Sequence, residues 1–192
     1  GVAVTWANDM FFANSTFAFI ESDSNQTSKD NYGVWAAQVG TILSPFEDGK
    51  LTLSAGYIDI PVQGQPAIYD EDFFGNSSIV VDGVEVYEYD YNLLTGSIAL
   101  GISAFDLPLS FYVDYVENHE VNDLETGYLA GFKLGSAKKE GQWQLQYQYQ
   151  MLEANATLGI VTNSNFAGGG TDGKGSLLTA KYAIDDQWYV AG

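Results

Sequence analysis

The chain has 192 residues, and its 7 basic against 25 acidic residues give a formal net charge of −18 at pH 7. This charge argues against nucleic-acid binding, because a phosphate backbone requires a positive surface, and it favours a cationic solute as the electrostatic partner. The absence of cysteine excludes disulfides and thiolate metal sites. A chain of this length is expected to form one domain, and an aromatic content of 15% with 21 glycines favours strands and turns.

Alternation of apolar and polar residues divides the chain into ten predicted strands, because a period of two is typical of a strand and not of a helix. No apolar run approaches the roughly 20 residues of a membrane-spanning helix. The predicted strands lie at residues 1–7, 11–19, 32–43, 51–57, 94–102, 109–115, 128–134, 142–151 and 178–184, and a tenth begins near residue 188.

The segment 142–151 has the clearest pattern, with glutamine at every even position and an apolar or aromatic residue at every odd one. Its length of about ten residues matches a tilted strand that crosses the hydrocarbon layer. We therefore expect Trp143 to face lipid and the glutamines to face a wet interior, although they could instead pair with other polar side chains in a plugged lumen. The candidate pore-lining residues are these glutamines and three charges on polar strand faces: Asp114, Lys133, Gln142, Gln144, Gln146, Gln148, Gln150 and Lys181.

The predicted connections alternate in length along the chain. They are short near residues 8, 47, 107, 139 and 186, long near 25, 75 and 163, and intermediate near 121. Tight turns at one end and long loops at the other are typical of an antiparallel up-and-down transmembrane β-barrel whose tight end faces the periplasm. A Greek-key sandwich gives no reason for such segregation.

The long acidic segment 61–91 contains Asp70, Glu71 and Asp72, whose adjacent carboxylates could bind a hard cation, although solvated acids are the commoner outcome. The glycines at 168–170 predict a flexible loop tip. Glycosylation sequons begin at Asn14, Asn25, Asn76 and Asn155, but they matter only in a secreted eukaryotic protein.

Nothing in the sequence predicts catalysis. His119 is the only histidine and is expected to be solvated, and neither a GxSxG nor an HExxH motif is present. We therefore expect a protein that is not an enzyme and needs no cofactor.

From Gly131 onward the sequence resembles the putative porin family of Gram-negative outer membranes. The matching features are a Leu134-Gly135 strand end before a Lys138-Lys139 turn, a strand that ends in Glu153-Ala154, a glycine-rich loop at 166–172 and a Tyr182-Ala183 strand end. The resemblance implies an outer-membrane β-barrel pore, with lipids and lipopolysaccharide as its surroundings and a homotrimer as its assembly. Many such barrels end in an aromatic residue, whereas this chain begins within a strand and ends in glycine, so we expect one barrel domain over 1–192 that is truncated at both ends.

The first functional hypothesis is an outer-membrane porin that lets small hydrophilic solutes diffuse passively, with a mild cation preference from its acidic loops. The alternative is a non-conducting outer-membrane barrel that acts as a scaffold or adhesin through the acidic segment 61–91. A third hypothesis is a secreted soluble β protein that binds a ligand in its interior.

Overall fold

The computed structural model describes residues 1–21, 31–166 and 168–192, with the side chain of residue 21 excepted. The predicted polar connection between the second and third strands falls largely on residues 22–30 and therefore lies outside the described part. Within the described ranges, no helix combines the length and apolar character needed to cross a membrane.

Ten strands form one antiparallel sheet, and each strand pairs with the next strand of that sheet along the chain. The prediction of an all-β, antiparallel up-and-down fold is thus confirmed, and all ten predicted strands are present. Where the structure is described, β1 and β12 form the two edges, so the sheet is open. Its strands are β1 Val2–Ala7, β2 Phe11–Glu21, β3 Asn31–Leu43, β4 Lys50–Ile60, β7 Tyr91–Ala104, β8 Leu107–Asn118, β9 Thr126–Gly135, β10 Trp143–Leu152, β11 Gly173–Ala183 and β12 Tyr189–Ala191.

A separate hairpin, β5 (Ser78–Val81) and β6 (Val84–Tyr87), lies inside the segment that was predicted only as a long acidic loop. Asp82 and Gly83 form its turn with φ of 53° and 84°, which suits the type I′ geometry that matches strand twist. An Asp-Gly pair between valines is a strong local hairpin signal. The sequence therefore contains the signal for this hairpin, but the acidic composition of the segment favoured the prediction of a loop.

The register of the ten-stranded sheet places apolar side chains on one face, here called the apolar face. Phe111 pairs with Phe132, which pairs with Tyr147 on the next strand, and the ring centroids lie 6.5 and 6.0 Å apart. These residues are not in a dry interior, since Phe111 is 46% exposed and Trp143 is 43% exposed. The outward orientation expected for large apolar residues is therefore present in the structure.

The opposite face, here called the polar face, carries mainly amide, hydroxyl and small side chains at mid-strand. It becomes apolar toward the ends of the strands that lead into the long connections. There the inward-facing side chains of Tyr32, Ile60, Tyr91 and Leu93 belong to a buried cluster with Val62, Ile68, Tyr87 and Leu158 from the connections. We call the two long connections at 61–90 and 153–172 the loop cap.

The tight turns lie at the other end of the sheet. Phe105 and Asp106 alone connect β7 to β8, with φ of 54° and 60°, which again suits a type I′ turn. The alternation of connection lengths holds with one exception, because 136–142 and 119–125 are both seven residues long.

Candidate functional site

A cleft of about 360 Å³ lies between the polar face of the sheet and one segment of the loop cap. Thr157, Val161, Thr162 and Asn163 form its loop side. Its sheet side is formed by side chains of successive strands that share the polar face: Gln38, Ser54, Thr95, Ser97, Asp114, Val116, Gln150 and Leu152.

Hydrogen bonds link polar side chains across four strands of this face. Asn14 Nδ2 donates to Gln38 Oε1 at 3.2 Å, and Gln38 Nε2 donates to Ser54 Oγ at 3.3 Å. The hydroxyls of Ser54 and Ser97 are 2.6 Å apart. Such cross-strand pairs fix side-chain positions, so the part of the wall formed by Gln38, Ser54 and Ser97 is an ordered array of neutral hydrogen-bonding groups.

The glutamines predicted to line a pore lie at different places on the sheet. Gln150 is buried in the cleft wall, and Gln148 is also buried. Gln146 donates from Nε2 to Tyr112 Oη at 2.9 Å and to Gln148 Oε1 at 3.1 Å. Within the row, Gln150 borders the cleft and Gln146 pairs with polar neighbours, and pore lining by the glutamines stays a prediction.

The remaining two glutamines lie nearer the tight-turn end. Gln144 faces Lys181 across β10 and β11. Gln142 precedes β10, and its Oε1 accepts hydrogen bonds from the Lys138 and Lys139 N–H groups at 3.4 and 3.1 Å. Gln142 thus closes a turn instead of standing on the wall.

The three charged candidates share the polar face but are not brought together. Asp114 is exposed to solvent within the cleft. Lys133 lines a second cleft near the tight turns, with Asp48, Lys50 and Asp106. Lys181 lies near the β12 edge, with its Nζ 5.3 Å from the ring centroid of Tyr189.

The acidic run at 70–72 forms a tight turn. Asp70 and Glu71 both have positive φ, 55° and 54°, and Asp72 Oδ1 accepts a hydrogen bond from the Phe74 N–H at 2.7 Å. Among the described residues, no group of three or more His, Asp or Glu side chains is arranged to hold a metal ion. The cation site at Asp70, Glu71 and Asp72 stays a prediction.

Three buried asparagines, which the sequence did not single out as a group, join the long connections. Asn118 is fully buried, and its Nδ2 donates to the carbonyls of Asp90 and Asn155, both at 3.1 Å. Asn155 Oδ1 accepts from the Ser77 N–H at 3.1 Å. Asn76 bonds to the segment that begins at Ala154.

Two of these asparagines, Asn76 and Asn155, were noted only as the first residues of sequons. They are 7% and 3% exposed, so in the folded chain both are buried residues that hydrogen-bond to neighbouring segments. Asn25 lies outside the described residues.

Burial also affects the ionisation of the loop cap. Desolvation raises the pKa of Tyr87 from 10.0 to about 12, and the nearby Tyr32 and Asp72 act in the same direction. At the surface, the hydrogen bond from Tyr89 to the Glu88 carboxylate raises the pKa of Tyr89. His119 is exposed, with Nε2 3.8 Å from Glu117 Oε1.

A protein-family model with the description "Putative porin" matches residues 67–192, about two thirds of the chain. Comparison with curated proteins and with solved structures gives no significant match. The family match begins well before Gly131, so it includes β7, β8 and most of the loop cap as well as the motifs near the carboxyl end. The chain therefore belongs to the putative porin family.

Proposed function

We propose that the protein forms a pore in the bacterial outer membrane through which small hydrophilic solutes diffuse passively. The observation that carries this proposal is the difference between the side chains on the two faces of the sheet. Large apolar side chains such as Ile98 (52% exposed) and Leu178 (62% exposed) stand outward, while the opposite face carries amides and hydroxyls. In water this arrangement would expose a wide apolar surface, whereas lipid outside and water inside satisfy both faces.

Loop segregation supports the same proposal. The tight turns share one end of the sheet and the long connections share the other, as in outer-membrane barrels with short periplasmic turns. Closure of the sheet, either with further strands or between copies, would remove the unpaired edges at β1 and β12, which are costly in lipid. Lipids, lipopolysaccharide and a homotrimeric assembly belong to this proposal, which requires neither a catalytic group nor a cofactor.

Electrostatics support a mild cation preference. The formal net charge of −18 would raise the local cation concentration at the pore mouth. Screening limits the effect at high ionic strength, since the Debye length is about 3 Å at 1 M salt.

The test is reconstitution of the protein into liposomes. We expect swelling rates in isotonic sugars that decrease as the sugar becomes larger, and a reversal potential in a KCl gradient that indicates cation preference. A barrel that gives no solute-dependent swelling would support the non-conducting scaffold instead. Recovery of the protein in the aqueous phase without detergent would contradict both membrane proposals.

A further inference from the structure

The segment from Thr157 to Asn163 is fixed over the polar face by a buried amide. Asn76 Nδ2 donates to the carbonyls of Ala154 at 2.7 Å and Thr157 at 2.8 Å, and Asn76 Oδ1 accepts from the Gly159 N–H at 2.7 Å. The side chain of Asn76 thus provides hydrogen-bond partners for three backbone groups, two before Leu158 and one after it. Buried groups that lose such partners are costly, so the segment has a defined position.

Packing adds to this attachment. Leu158 is fully buried in the core cluster, and Ile160 packs against the same cluster. A Cβ at Gly159 would collide with the carbonyl oxygen of Phe74. The short helix at Gly159–Val161 therefore sits directly on the neighbouring connection, and its Val161, with Thr162 and Asn163, is left to face the cleft.

Asp114 is the only carboxylate among the described residues that line this cleft, and no lysine, arginine or histidine lines it. It is solvent-exposed there, and it pairs with Ser97 on one side and Leu129 on the other. Lys133 lies four positions beyond Leu129 on the same strand, roughly 13 Å away at the usual rise per residue. Among the described residues that line the cleft, no cationic side chain therefore balances the negative charge of the Asp114 carboxylate.

We propose that the segment 157–163 and Asp114 together form the ion-selecting section of the pore, with Asn76 as the residue that positions the segment. This inference rests on the proposed pore function, and it places the main source of the cation preference at one carboxylate inside the lumen, with the acidic loops as a weaker source that salt screens. A narrow passage with neutral walls and one carboxylate favours neutral and cationic solutes and disfavours anions.

The first test compares Asp114→Asn with Asp82→Asn in planar bilayers. Both variants remove one negative charge, but Asp82 is at the exposed tip of the β5–β6 hairpin, and its positive φ of 53° is one that asparagine tolerates. We expect D114N to lower the potassium-to-chloride permeability ratio by about twofold or more and D82N to leave it unchanged. Equal ratios for D114N and the wild type would overturn the inference.

The second test does not depend on a change of charge. Because the chain contains no cysteine, Val161→Cys and Val113→Cys each introduce a single thiol, the first beside the cleft at a residue 57% exposed and the second on the apolar face. A positively charged, thiol-reactive methanethiosulfonate should reduce the current of V161C and leave V113C unaffected. An unaltered V161C current, with labelling verified by mass, would contradict the position assigned to the segment.

The role of Asn76 is tested by Asn76→Ala. We expect higher conductance and weaker cation preference, because the released segment no longer narrows the passage. Unchanged conductance in a variant that is still correctly inserted would exclude a positioning role. A wild-type protein that does not conduct would refute the proposed function itself, whereas a conducting wild type with unresponsive variants would refute only this inference.

Discussion

The sheet and the loop cap bury opposite kinds of side chain. In the sheet, Phe111 and Trp143 are almost half exposed while Gln148 and Gln150 are 6% exposed. In the loop cap, Val62 and Leu158 are fully buried, as in an ordinary water-soluble protein. One chain therefore contains two regions with opposite burial patterns, and the boundary between them lies where the strands enter the long connections.

The two regions also treat buried polar groups differently. The sheet satisfies its backbone by strand pairing, which needs no particular side chain. The loop cap has irregular backbone, so three buried asparagines supply the missing partners, and each joins segments far apart in sequence. We expect substitutions in the sheet to be sensitive to which face they alter, and those in the loop cap to be sensitive to lost hydrogen bonds.

The largest expected effect comes from a charge on the apolar face. Ile98→Lys should destabilise the folded protein in phospholipid vesicles by about 2–4 kcal/mol, the usual cost of lysine near the bilayer midplane. Ser97→Lys is the matched control, because the adjacent residue of β7 projects to the polar face. Urea titration in vesicles measures both, and equal losses for the two variants would contradict the assignment of the faces.

An intermediate effect is expected from Asn118→Ala. This substitution removes the Asn118 donor from the part-buried carbonyl of Asp90 and the buried carbonyl of Asn155, and an unsatisfied buried group costs about 1–3 kcal/mol. Amide hydrogen exchange should become faster in the loop cap while exchange in the centre of the sheet is retained. Asn122→Ala, at an exposed position of the connection 119–125 that follows Asn118, should have little effect, and uniform acceleration across the sheet would show that the two regions are not separable.

The smallest effect is an alkaline loss of loop-cap stability. The folded-state pKa of Tyr87 is raised to about 12 from 10.0, so below pH 10 the contribution of the neutral phenol is fully present. As the pH rises from 10 to 12 the unfolded state ionises first, and stability on the order of 2 kcal/mol is lost. Tyr87→Phe should make the free energy of loop-cap opening, obtained from exchange rates corrected for base catalysis, less dependent on pH over this range, whereas Tyr69→Phe, at a residue 50% exposed, should retain the wild-type dependence.

The strands of the sheet and their two faces could be predicted from the sequence, because the alternation of side chains that indicates them is local. Alternation over Trp143–Leu152 states both the strand and its two faces, and the same holds for the other predicted strands. The positions of single site candidates were less readable. Asp114, Lys133 and Lys181 share a face, but only the structure shows that Asp114 and Lys133 line separate clefts and that Lys181 lies near the β12 edge.

By itself, the sequence determined the ten strands of the main sheet and its two faces, since each depends on neighbours one or two residues apart, and the lengths of the connections indicated the strand order. Only the tertiary structure decided that the long connections fold inward, that Asn76 meets Gly159 across 83 positions of sequence, and that Thr162 comes to lie over the polar face with Asp114. The physical reason is that buried asparagines and a shared apolar cluster act through contacts between distant segments, which have no period along the chain.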